Sequence, residues 1–71
     1  MMKWHKVEDG LPPIGKSVFV AMPNYLDQYS EDFVYVMNYN GNNRWEYYDG
    51  GKEYTCVHNT DRWAYIELPE E

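Results

Sequence analysis

Seventy-one residues hold one domain and exclude a second, because a chain below about 50 residues cannot ordinarily bury enough surface to fold alone. Six Lys and Arg against twelve Asp and Glu give a net charge of −6 with no basic run, and phosphate backbones repel such a chain, so direct nucleic-acid binding is not expected. The single cysteine, Cys56, excludes an intramolecular disulfide and fits a reducing cytoplasm better than a stapled secreted scaffold.

The start of the chain carries Lys3 and Lys6 but no apolar stretch of signal-peptide length, and nowhere do about 18 apolar residues run together. Neither export nor a membrane span is expected. Leu11-Pro12-Pro13-Ile14-Gly15 reads as a turn, since its prolines forbid a ladder interior and its glycine permits a reversal. Ser17–Met22 is a continuous apolar run of strand length. Pro23 to Glu31 is too polar for a core and reads as a loop, in which Tyr25, Leu26 and Tyr29 have the spacing of one short helical turn. Four short runs rich in β-branched and aromatic residues follow: Phe33–Tyr39, Arg44–Tyr48, Glu53–Val57 and Arg62–Ile66. Between them lie Asn40-Gly41-Asn42-Asn43, Asp49-Gly50-Gly51-Lys52 and His58-Asn59-Thr60-Asp61, rich in the residue types that tolerate the positive φ of hairpin turns. The fold class is therefore all-β, one small domain over residues 1–71: a curled antiparallel meander of five or six strands forming an open, barrel-like sheet.

If each turn closes as a four-residue loop, Tyr39 faces Arg44, Tyr48 faces Glu53 and Val57 faces Arg62, and the period of two then assigns the faces. One face collects Val34, Val36, Trp45, Tyr47, Tyr54, Cys56, Trp63 and Tyr65. It carries no charge and is the expected core, with Cys56 between Trp45 and Trp63. Eight Tyr, three Trp and two Phe suit this use, because each buried ring removes about 150–250 Å² from water in a domain that has little else to bury. The other face holds Tyr35, Met37, Tyr39 and Tyr48 among charged residues.

Three features stand together: Trp4 with Val7 near the start, the stretch Leu11-Pro12-Pro13-Ile14-Gly15-Lys16-Ser17-Val18-Phe19-Val20, and Asp61-Arg62-Trp63 before Leu68-Pro69-Glu70. In these the chain resembles the family called domain of unknown function 551, small proteins of bacteria and their phages. The resemblance covers nearly the whole chain, with a variable middle. It implies a phage or prophage accessory protein made in the bacterial cytoplasm, and brings no known activity or catalytic residue. Arg62 stands where the family usually has histidine, and Ala64-Tyr65-Ile66-Glu67 lengthens the gap before Leu68-Pro69, so no role of that histidine carries over.

Cys56 and His58 are two apart, a spacing at which a strand puts both on one face, and a thiolate–imidazole pair is nucleophilic. With Cys56 between two indoles, however, desolvation opposes the thiolate, and no orienting acid is spaced to assist. No enzyme activity is expected. Cys56, His58 and His5 fall short of a four-ligand zinc site unless Asp61 joins, so neither metal nor cofactor is expected. Asp49-Gly50-Gly51-Lys52 lacks the length of a phosphate loop and reads as a turn. The leading expectation is a protein-interaction module, for a host partner or for self-association, through Tyr35, Tyr39 and Tyr48, because Tyr tolerates a half-wet position and is enriched at contacts. The alternative is a small-ligand or nucleotide site in a cleft lined by Trp4 and Trp63, weighed against both rings simply filling the ends of the core. A third reading makes the chain an acidic DNA mimic directed at a host defence protein. Its acids are scattered, with no alternating carboxylate strand, and such scatter ordinarily marks a solvated surface.

Overall fold

Runs of four to six residues are too short to be stable as isolated strands, so they must share one sheet and bury one face of it. The computed structural model, which describes residues 3–47 and 54–69, holds six strands: β1 (His5–Lys6), β2 (Ser17–Ala21), β3 (Val34–Tyr39), β4 (Arg44–Tyr47), β5 (Tyr54–Cys56) and β6 (Arg62–Tyr65). They form a single antiparallel sheet in the order β1-β6-β2-β3-β4-β5, which is open because its edge strands, β1 and β5, do not pair with each other. Single turns of 3-10 helix at Val7–Asp9 and Glu31–Phe33 are the only helical elements among the described residues.

β2 to β5 make the expected meander, but β6 does not continue it. It lies between β1 and β2, where Val20 pairs with Trp63 and His5 pairs with Trp63 from the other side. The expected facing of Val57 and Arg62 is thus replaced by a crossing. The residues that turn the chain are His58–Asp61: the Asp61 amide donates to the His58 carbonyl at 3.0 Å, and the His58 amide donates to Asp61 Oδ2 at 2.9 Å. This closed loop sends the chain across the core face instead of back along β5.

The first hairpin also differs by one residue. Asn40 donates its amide to the Arg44 carbonyl at 3.2 Å, so the loop is the three residues Gly41, Asn42 and Asn43, with Gly41 at φ 85° and Asn43 at φ 58°. Three-residue loops that end on a left-handed residue are a standard hairpin solution. Tyr39 therefore pairs with Trp45, not Arg44, and Met37 pairs with Tyr47. A slip of one exchanges the faces of a strand. β5 is likewise one residue off, with Trp45 opposite Thr55 and Cys56 opposite Arg44; the turn between β4 and β5 lies outside the described residues.

The core face consequently holds Val18, Val20, Met37, Trp45, Val57 and Trp63, with Tyr35, Tyr39 and Tyr47 packed against this cluster. Trp45 and Trp63 are inside, as expected. Cys56 is not: it is exposed on the opposite face, the side shared by Val34 and Val36, and the indoles do not sandwich its sulfur. Pro12 is buried, and the Trp63 indole donates to the Gly10 carbonyl at 2.9 Å, tying the amino-terminal turn to β6.

Trp45 has no exposed surface, and a buried indole N–H left unpaired costs about 1–3 kcal/mol. Asp61 supplies the partner. Its carboxylate, on a residue only 2% exposed, accepts the Trp45 Nε1–H at 3.0 Å as well as the His58 amide. Asp61→Ala orphans both donors and is expected to lose about 3 kcal/mol, a large share of the roughly 4–10 kcal/mol that a chain of this length carries. Asp61→Asn, which keeps an acceptor oxygen, should lose about 1 kcal/mol. Urea unfolding followed by tryptophan emission measures both, and an alanine variant within 0.5 kcal/mol of the wild type, on the order of a neutral surface change, would remove this contact from the fold's supports.

Candidate functional site

The face away from the core is organised in rows by strand pairing. Lys6 pairs with Arg62, Arg62 with Ala21, and Ala21 with Val34, so four strands contribute one row about 14 Å wide at three strand spacings. Paired residues share a face. This row is the floor of a cleft of about 430 Å³, within the usual range of about 300–1,000 Å³ for small-molecule sites. Trp4, which alternates with His5 and so stands on Lys6's side, and Tyr29 and Ser30 form its walls. Ala21, buried in mid-floor, keeps the cleft deep because its methyl group reaches so little above the sheet.

The Tyr29 wall belongs to the connection between β2 and β3, and its shape is set locally. Asn24 accepts from the amides of Leu26 at 2.8 Å and Gln28 at 3.1 Å through its side-chain oxygen, an Asx turn that lets Asp27 take φ 57°. The Met22 amide donates to the Phe33 carbonyl at 3.0 Å and closes the base of the loop. Tyr29 then leans over the sheet and donates its hydroxyl to the Thr60 carbonyl.

Arg62 is held in place from three sides. Nη1 donates to the carbonyls of Asn59 at 3.1 Å and Asp61 at 3.0 Å, and the guanidinium carbon lies 5.8 Å from the centroid of the Tyr29 ring. Both hydrogen bonds leave from Nη1, so they do not use the Nε–Nη2 edge that binds a carboxylate or phosphate side-on. Lys6, directly across the strand pair, is exposed. Two cations thus meet on the floor of a mostly apolar cleft in a chain of net charge −6.

The residues singled out in the sequence are distributed differently. Trp4, 38% exposed, lines the cleft, whereas Trp63, 5% exposed, is on the core face, stacked on His5 with ring centroids 4.4 Å apart at 26°. The two tryptophans do not share a cleft, because adjacent strand positions 4 and 5 point to opposite sides and Trp63 pairs with His5. Tyr35 and Tyr39 are half-buried on the core face, not on a free face: Tyr35 meets Tyr47 edge-on at 6.3 Å and Tyr39 meets Trp45 at 5.8 Å. The one-residue hairpin slip is the cause. Tyr48 lies outside the described residues. Sequence reasoning passed over Lys6, Tyr29 and Arg62 as site residues; only the departure from the family pattern at Arg62 marked any of them.

Among the described residues, no three His, Cys, Asp or Glu side chains gather where a metal ion would be held, and no helix is long and apolar enough to cross a membrane. Cys56 and His58 are both exposed. No family model, curated protein or solved structure matches this chain.

The position of Cys56 has a direct chemical readout. A thiol-specific reagent should modify it to one equivalent in the native protein, at a rate within about tenfold of that in urea, as for any accessible thiol. Protection lifted only on unfolding would return the sulfur to the interior and reverse the faces of β5.

Proposed function

We propose that this chain acts by binding, without catalysis, and that a small ligand sits in the cleft over Lys6, Arg62, Ala21 and Val34. The observation that carries this is the convergence of four strands and one pegged loop on a single concave, mostly apolar site holding two basic groups. Apolar walls with a few placed polar groups are the usual composition of ligand sites. Among the described residues the ionisable lining groups are Lys6, Arg62 and Tyr29, which orient and neutralise an anion but include no carboxylate or imidazole to serve as general base. The setting we propose is the bacterial cytoplasm during carriage of a phage or prophage, which rests on the resemblance in Trp4, Leu11–Val20 and Asp61–Trp63.

A second reading keeps a protein partner, or a second copy of the chain, and moves the contact to the loop tip. Tyr25 is 92% exposed and Leu26 58% exposed on the turn that Asn24 pegs, so an aromatic and an aliphatic side chain are displayed on a backbone already ordered. Preordering lowers the entropy lost on association.

Ala21→Leu separates the two readings. The larger side chain rises into the cleft from its floor and leaves the core face unchanged. A mixture of small aromatic fragments, monitored by amide shifts in a nitrogen-edited NMR spectrum, should move residues 4–6, 21, 29–30, 34 and 62 in the wild type, and Ala21→Leu should abolish these shifts with the fold intact. Shifts confined to residues 24–28, or equal in both proteins, would transfer the site to the loop tip.

A further inference from the structure

Lys6 and Arg62 are direct cross-strand partners, a position at which Cβ atoms lie about 4.5–5.5 Å apart and like charges destabilise a sheet. Lys6 has freedom to turn outward. Arg62 does not, because the carbonyls of Asn59 and Asp61 and the face of Tyr29 fix its guanidinium at the cleft floor. The fold therefore holds a positive charge beside another one, in a chain with twelve acids, none of which lines the cleft among the described residues. An anion seated between the two cations converts that repulsion into two attractions. The rest of the lining demands a different kind of group. Trp4 offers a partly exposed indole, Val34 and Ala21 offer an apolar floor, and Tyr29 adds a second ring to the lining.

We infer, resting on the cleft reading above, that the ligand is a planar ring bearing one phosphate or carboxylate, with the anion between Lys6 and Arg62 and the ring against Trp4. Arg62 receives the anion on its Nε–Nη2 edge, in the bidentate geometry guanidinium groups favour, and Lys6 adds a point charge. Inorganic phosphate satisfies the cations but leaves the apolar lining wet. A neutral ring does the reverse. The acidic remainder of the surface repels polyanions, which selects a small anion over a nucleic acid.

The test uses the full chain and four probes: phenyl phosphate, benzoate, phenol and inorganic phosphate, titrated by NMR and by Trp emission. Phenyl phosphate or benzoate should bind at least about tenfold more tightly than phenol and inorganic phosphate, the ratio expected when a charge-assisted pair is added to a ring contact. Whichever of the two is tighter identifies the source of the anion. Lys6→Gln should weaken the better probe about fivefold or more and at the same time raise the melting temperature of the free protein, because it relieves the cross-strand repulsion. Opposite signs in affinity and stability are not produced by a residue with a merely structural role. Arg62→Gln should weaken binding further; if it unfolds the chain, Lys6→Gln still decides. Phenol binding as tightly as phenyl phosphate, with Lys6→Gln unchanged in affinity, would overturn the anion assignment and leave the cleft reading standing. Absence of any probe-induced shift at Trp4, Ala21 or Arg62 would overturn both.

Discussion

The hydrogen bond from the Trp45 indole to Asp61 is the contact on which the rest of the molecule depends, since it joins two segments that the sheet itself leaves apart. Trp45 is on β4, near one edge, and Asp61 immediately precedes β6, which lies near the other. Val57 and Arg62 are joined by only five residue steps, which reach at most about 17 Å, so the crossing from β5 to β6 has little slack. A carboxylate that bonds the buried Trp45 indole at the end of this crossing fixes where it runs. The same residue has a second consequence. Its side chain points into the core while its carbonyl accepts from Arg62, whose own side chain is on the other face. Core and cleft are thus coupled through one residue pair, and the alternation of the strand does the coupling.

Much of the architecture was legible from local chemistry. Ser17–Met22 was expected as a strand and Ser17–Ala21 is one; Phe33–Tyr39 and Arg62–Ile66 contain β3 and β6 with small differences at their ends. Residues 23–30 form a loop, and the single helical turn comes after it, at Glu31–Phe33, instead of over Tyr25, Leu26 and Tyr29. Such features depend on a few neighbouring residues, such as proline, β-branched side chains and the Asn and Gly turns. The burial of Trp45 and Trp63 was legible for a related reason, because a chain of this size has few other places to gain apolar contact.

Facing and partnership were less legible, because both rest on small differences. Asn40-Gly41-Asn42-Asn43 is compatible with a four-residue loop and with the three-residue loop it forms, and the choice reverses the face on which Tyr35, Met37 and Tyr39 stand. Val34 and Cys56 were expected inside by the same parity that put Met37 outside. The position of β6 was hidden further still, since Arg62–Tyr65 follows β5 in sequence and pairs with β2, reached after a chain separation of more than forty residues. Nothing local to Lys6, Ala21, Tyr29 or Arg62 marks them as one site; they meet only when β6 is inserted between β1 and β2.

The cleft's charges run against the interest of the fold, and this separates them from the acids elsewhere. Scattered carboxylates on a −6 chain keep it solvated and weakly self-repelling, which needs no further explanation. A Lys opposite an Arg on adjacent strands is different, because an uncharged or acidic residue at position 6 would serve β1 at least as well. The two-residue edge strand has little pairing to spare for such a conflict. Tension of this sort, confined to one row of the sheet and situated at the floor of its concave side, is the ground on which we propose an occupant that supplies the missing charge.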